Sequence, residues 1–210
     1  MNKTNAFILK EAFKIAQKVR ASAIIVHIDP LDDLIFEERV TKKFDLILLS
    51  RKKKVETGDE NKKSLASFAK SQITLPRSPL TRIALIKIGT TLALSQEIVE
   101  PSSTIVFVVG SHESGTLDLI QVVDTSKESE IITGRGIVKL SEVVQPDLFQ
   151  TILNISVELA DKGREGKPVG TIFVVGDHEK VMQMSKQMIM NPFKGYDEDE
   201  RNILTGSLKD

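Results

Sequence analysis

Two stretches of the chain offer the same pairing of an imidazole with a carboxylate, and they sit in nearly the same phrase. TIVFVVGSHESG at 104–115 carries His112 and Glu113, and GTIFVVGDHEKV at 170–181 carries His178 and Glu179. Histidine and glutamate are zinc ligands, but a zinc site needs three or four of them converging. Neighbours in sequence point apart, and the only other histidine is the isolated His27. The architectural reading is therefore the stronger. In each copy a buried strand reaches Gly110 or Gly176, and the next residue, Ser111 or Asp177, caps a following helix.

The remaining candidates resolve the same way. GREGKPVGT (163–171) resembles a phosphate-binding loop, yet that loop runs strand, turn, helix with Gly-Lys-Ser/Thr. Here Gly166-Lys167 precedes Pro168 and the order is helix, turn, strand. A tight turn is expected, with Arg164 or Lys167 placed to reach a phosphate from a neighbouring element. RKKK (51–54) lies beside Glu56, Asp59 and Glu60 with no interleaved aromatic residue, which reads as a solvated loop rather than a nucleic-acid contact. In VMQMSKQMIM (181–190), Val181, Met184 and Met188 share a helical face and are expected in a core, the alternative being an adaptable contact surface. Asp197 to Glu200 diverge on a helix, so they suit its positive end better than a magnesium ion. Gly89-Thr90-Thr91 and the turn SHESGT (111–116) form a weaker candidate for cradling a phosphate.

The elements that must position these residues alternate between helix and strand. Residues 5–21 place Phe7, Ile8, Ala12, Ile15 and Val19 on one helical face, and AIIVHI (23–28) follows as a buried strand ended by Asp29-Pro30. Residues 31–43 have helical spacing, and DLILLS (45–50) is the next strand. Then come ITLP (73–76), a helix from Pro79 to Val99, and the strands TIVFVVG (104–110) and LDLIQVVD (117–124). This alternation predicts an α/β fold, a three-layer α/β/α domain with a mainly parallel sheet covered on both faces. The polar run TSKESE (125–130) sets a boundary between domains 1–125 and 126–210. In the second domain PDLFQTILNISVELADKG reads as a helix opened by Pro146 and closed by Gly163. A strand at 169–176, a helix from His178 to Met190 stopped by Asn191-Pro192, and a last helix opened by DEDERNIL complete the pattern.

Composition narrows the function classes. Across 210 residues, 29 basic and 29 acidic side chains cancel, so no overall field draws in nucleic acid or an anionic membrane as main partner. With 40% apolar residues the chain can bury a core. The lack of cysteine removes disulfides, thiolate metal sites and cysteine nucleophiles, and fits a reducing cytoplasm. The amino terminus has charges among its apolar residues, unlike a signal peptide, and Arg82 and Lys87 interrupt the most apolar stretch, so a soluble cytoplasmic protein is expected.

The segment from Gly163 to Leu204 resembles the first half of the diadenylate cyclase domain. It has the Gly-Lys-Pro-x-Gly turn, the apolar strand closing on Gly176-Asp177, Asn191-Pro192-Phe193, and Glu-Arg-Asn at 200–202. Residues 1–125, with RSPLTRIALIKIGTTLALSQEIV, resemble the amino-terminal domain of the archaeal type of this enzyme, a fold similar to the pyruvate kinase carboxy-terminal domain. The resemblance implies condensation of two ATP molecules into cyclic di-AMP with release of two pyrophosphates, aided by Mn²⁺ or Mg²⁺. It also implies a second subunit that presents its ATP face to face with the first.

The Asp-Gly-Ala and Arg-His-Arg motifs of the family are absent from these 210 residues. No catalytic residue or metal ligand is therefore assigned, and the nucleotide-binding residues stay unassigned. The expectation is the incomplete first half of a cyclase domain, inactive as it stands, with residues 126–210 prone to self-association through an open sheet edge. The alternative is a non-catalytic module that senses a ligand or holds a partner.

Overall fold

The computed structural model describes residues 1–36, 43–52, 55, 64–111, 113–126, 144–163, 167, 169–186, 188, 194–197 and 201. The chain divides into two compact units, Met1–Lys139 and Leu140–Asp210.

The first unit opens with α1 (Lys3–Lys18), whose free amino end is capped by Asn2 accepting from the Asn5 amide at 2.8 Å. Asn5, Leu9, Ala12 and Ala16 are its buried residues, so the packed stripe is rotated from the expected one. Phe7 is 60% exposed and Val19 faces solvent. The rotation follows from Asn5, a polar residue that the apolar periodicity skips and that here bonds the backbone through both ends of its amide. Its Nδ2 donates to the Gly115 carbonyl at 3.0 Å and its Oδ1 accepts from the Leu117 amide at 2.8 Å. The two alanines let the helix lie close to the sheet. Asn5→Ala leaves the buried Leu117 amide and the part-buried Gly115 carbonyl without this partner, an expected loss of about 2 kcal/mol in urea unfolding.

Five strands form one sheet in the order β3-β2-β1-β4-β5. They are β1 (Ala23–His27), β2 (Asp45–Ser50), β3 (Ser71–Thr74), β4 (Thr104–Ser111) and β5 (Thr116–Asp124). Strands β1 to β4 run parallel to one another, with Ile25 opposite Ile47 and Phe107, and β5 pairs antiparallel with β4. The three inner strands are buried on both faces, hence their unbroken apolar runs. Ile24, Val26, Leu46, Leu48, Val106 and Val108 form one core with Leu9, Ala12 and Ala16 of α1. The alternate residues face α3 (Arg82–Ser95), which crosses from the β3 edge back to β4. Each large apolar side chain buried this way contributes ~1.5–3 kcal/mol. At Gly89 the helix comes close to the sheet: a Cβ there would lie 2.9 Å from Phe107 Cε1.

Several expected boundaries move. α3 begins after Thr81, whose hydroxyl caps the Ala84 amide at 3.2 Å, so Pro79 lies before the helix and not in its first turn. It ends at Ser95, and Glu97 follows with φ 54°. Leu31–Phe36, expected to begin a helix, is irregular, and Ile35 bridges to Ser64 beside the short α2 (Leu65–Phe68). Asp33 explains this locally, because its Oδ1 takes the Ile35 amide at 2.9 Å and competes with helical bonding. The rest of the expected helix, 37–42, lies outside the described residues.

The largest correction concerns Ser111. The first copy of the repeated phrase turns into a hairpin and opens no helix. Its register shifts between Val109 and Gly110, which pair with Leu119 and Leu117, leaving Asp118 as the extra residue of a bulge. Arg82 at the start of α3 pairs with this Asp118, which lowers the carboxyl and raises the guanidinium.

In the second unit, α4 (Pro146–Lys162) has Pro146 in its first turn and Gly163 at its end with φ 66°, as expected. Among the described residues of 169–176 no strand forms, against expectation, and Ile172 is 89% exposed. A strand exists only where another pairs with it, and none does so here among the described residues. The next helix, α5, is His178–Gln183 and falls short of Met190. Asp177 precedes it without a side-chain cap bond. Met184 and Met188, expected in a core, are 81% and 89% exposed. Asn191-Pro192, and all of DEDERNIL except Asp197 and Arg201, lie outside the described residues.

Candidate functional site

In open α/β sheets, ligand crevices form at the carboxyl ends of the strands, near the strand from which the order reverses. That strand is β1, flanked by β2 on one side and β4 on the other. Its last residue, His27, is 1% exposed. The His27 Nδ1 lies 3.1 Å from the Gly110 carbonyl of β4. A carbonyl only accepts, so Nδ1 carries the proton. On the other side of the ring, Nε2 lies 3.4 Å from Asp29 Oδ2, within ion-pair range but without a hydrogen-bond geometry.

Asp29 lies just beyond β1 and gathers the neighbouring strand. The Ser50 hydroxyl at the end of β2 donates to its Oδ1 at 2.5 Å, and the Arg51 amide donates to its Oδ2 at 3.1 Å. The Lys52 amide in turn donates to Ser50 Oγ at 3.0 Å. Burial pushes the Asp29 carboxyl up, but His27, the Ser50 hydroxyl and the Arg51 amide outweigh it and bring the pKa down to about 2. Parallel register makes this possible: His27 is opposite Leu49, so the residues just beyond both strands meet. Although serine, histidine and aspartate are all present, the serine bonds the carboxylate and leaves the imidazole aside. This arrangement builds no nucleophile.

A cavity of about 450 Å³ opens on this cluster. Ile28, Asp29 and Leu31 to Leu34 line it from the β1 side, and Ser50, Lys52 and Val55 from the β2 side. The size suits a small organic ligand.

The residues singled out from the sequence do not converge on one site. His112, Arg164, Gly166, Pro168, Lys53 and Lys54 lie outside the described residues. His27 and His178 belong to different units. Among the described residues no group of three or more His, Cys, Asp or Glu side chains is placed to hold a metal ion. Thr90 and Thr91 donate their hydroxyls to the Ile86 and Lys87 carbonyls of their own helix. Of RKKK, Lys52 is exposed as expected of a solvated loop and lines the cavity, while the Arg51 amide bonds Asp29. Asp29 and Ser50 were legible only as strand ends, since nothing in spacing couples two positions 21 apart.

The fold and this cavity define an α/β domain with a cleft at the carboxyl ends of its parallel strands. Over residues 2–133 the chain matches the family described as "Probable sensor domain DacZ_P", and it belongs to that family. It is 38% identical over 116 residues to a diadenylate cyclase of Methanocaldococcus jannaschii, covering 55% of this chain and 38% of that protein. It is 32% identical over 109 residues to a diadenylate cyclase of Haloferax volcanii, covering 52% of this chain and 39% of that one. The chain thus spans well under half the length of these relatives, and the relationship to archaeal diadenylate cyclases stands as the sequence implied. A pyruvate kinase of Cryptosporidium parvum is similar at 16% identity and TM-score 0.40, over 59% of this chain and 23% of that chain.

Proposed function

We propose that the Met1–Lys139 unit is the ligand-sensing part of a diadenylate cyclase and governs the condensation of two ATP into cyclic di-AMP and two pyrophosphates. In that reaction each 3′-hydroxyl attacks the α-phosphate of the opposite ATP and pyrophosphate leaves, so two subunits face each other. ATP, Mn²⁺ or Mg²⁺, the second subunit and a cytoplasmic setting all belong to this proposal. The described residues do not fit the metal, because no three ligating side chains gather among them, and no step of the reaction is derived from them. Among the described residues no helix is long and apolar enough to cross a membrane.

The observation that carries the sensory reading is the His27–Asp29–Ser50 cluster at the strand ends, whose Asp29 and Ser50 line the 450 Å³ cavity. Two experiments test it. The chain incubated with ATP and Mn²⁺ is expected to form no cyclic di-AMP; product would show that catalysis resides here. Residues 1–133 joined to the remainder of the Methanocaldococcus jannaschii cyclase should give a cyclase whose rate changes severalfold when Ser50→Ala alters the cavity. Equal rates with and without the substitution would count against a sensory role.

A further inference from the structure

Among the described residues, four charged side chains line the cavity beside β1 and β2, and part of their capacity is already spent. Asp29 takes the Ser50 hydroxyl and the Arg51 amide and faces His27. Asp33 takes the Ile35 amide and pairs with the Met1 ammonium. The other two are different: Asp32 on the β1 side and the Lys52 ammonium on the β2 side have no ion-pair or hydrogen-bond partner among the described residues. They are opposite in sign, come from separate loops and line the same half-open cleft. Ile28, Leu31, Leu34 and Val55 supply the apolar part of its wall.

We propose that this cavity binds a free α-amino acid with an aliphatic side chain, its carboxylate on Lys52 and its ammonium on Asp32. Each alternative leaves a charge unmet. Among the described lining residues a nucleotide or other polyanion meets one lysine beside three carboxylates, and a bare metal ion lacks three converging ligands. A purely apolar ligand covers both charges without compensating either, which is costly. A molecule with one charge of each sign and an apolar body satisfies the described lining.

The inference deepens the sensory reading and rests on it. Its test titrates the full chain with L-leucine, L-isoleucine and L-methionine, followed by calorimetry and amide chemical shifts. Controls are 4-methylpentanoate, which lacks the ammonium, and 3-methylbutylamine, which lacks the carboxylate. At least one amino acid should bind saturably at 1:1, and each control about tenfold more weakly, the size of one lost charged hydrogen bond. Asp32→Asn and Lys52→Met should each weaken binding by a similar factor while leaving the melting midpoint unchanged, since both side chains are exposed. No saturable binding at millimolar concentration, or binding indifferent to both substitutions, overturns the inference. If binding fails while cavity substitutions still alter cyclase output, the ligand class is wrong and the sensory reading survives. If an amino acid binds without any effect on output, the ligand class stands and the sensory reading falls.

Discussion

Gly110→Ala should destabilise the first unit by about 3 kcal/mol or more, among the largest effects available from one methyl group. The reason is space. A Cβ at this position would lie 1.9 Å from the Thr116 carbonyl oxygen and 2.7 Å from Leu117 Cα. Both are backbone atoms of the adjoining strand, so no side chain can rotate aside. Relief requires the β4–β5 pairing to open at the bulge, which also carries the Gly110 carbonyl away from His27. Chemical denaturation measures the loss. A variant with the wild-type midpoint would show that the hairpin has another arrangement of equal stability.

Asp29→Ala is expected to cost about 3 kcal/mol, because it removes the acceptor for the Ser50 hydroxyl and the Arg51 amide and takes away the charge facing a buried imidazole. Asp29→Asn keeps the shape and should recover part of this. The pH dependence has a definite sign. The folded carboxyl, at about 2, lies below its ordinary 3.8, so its contribution is complete above pH 3.8 and disappears as the pH falls through 2. Wild-type stability should therefore fall across that window more steeply than that of Asp29→Asn. Asp118, also lowered, titrates in both proteins and cancels in the difference. Parallel acid-unfolding curves for the two proteins would show that Asp29 gains nothing from its partners.

Much of the first unit was legible because its inner strands are buried on both faces, which leaves unbroken apolar runs such as Ala23–His27 and Asp45–Ser50. The element that comes after a strand was less legible. GSHESG and GDHEKV look alike, yet the first turns into β5 and the second into a short helix. The difference is set by LDLIQVVD, which finds β4 as a partner, and not by the turn itself. Residues 169–176 are as apolar as β4 but lack a neighbouring strand among the described residues, and composition cannot supply one. The buried stripe of α1 departs from its apolar periodicity because a satisfied asparagine behaves as a core residue. The candidate site was nearly invisible. His27 had no local companion, and Asp29, Ser50 and Gly110 join it only through strand order, a long-range property.

The antiparallel course of β5 separates two ends of the domain. Asp124 returns to the level of Thr104, the rim where the parallel strands begin, whereas the cavity occupies the rim where they finish. Nine residues of extended backbone make that span about 30 Å. The polypeptide therefore departs from the side remote from the pocket.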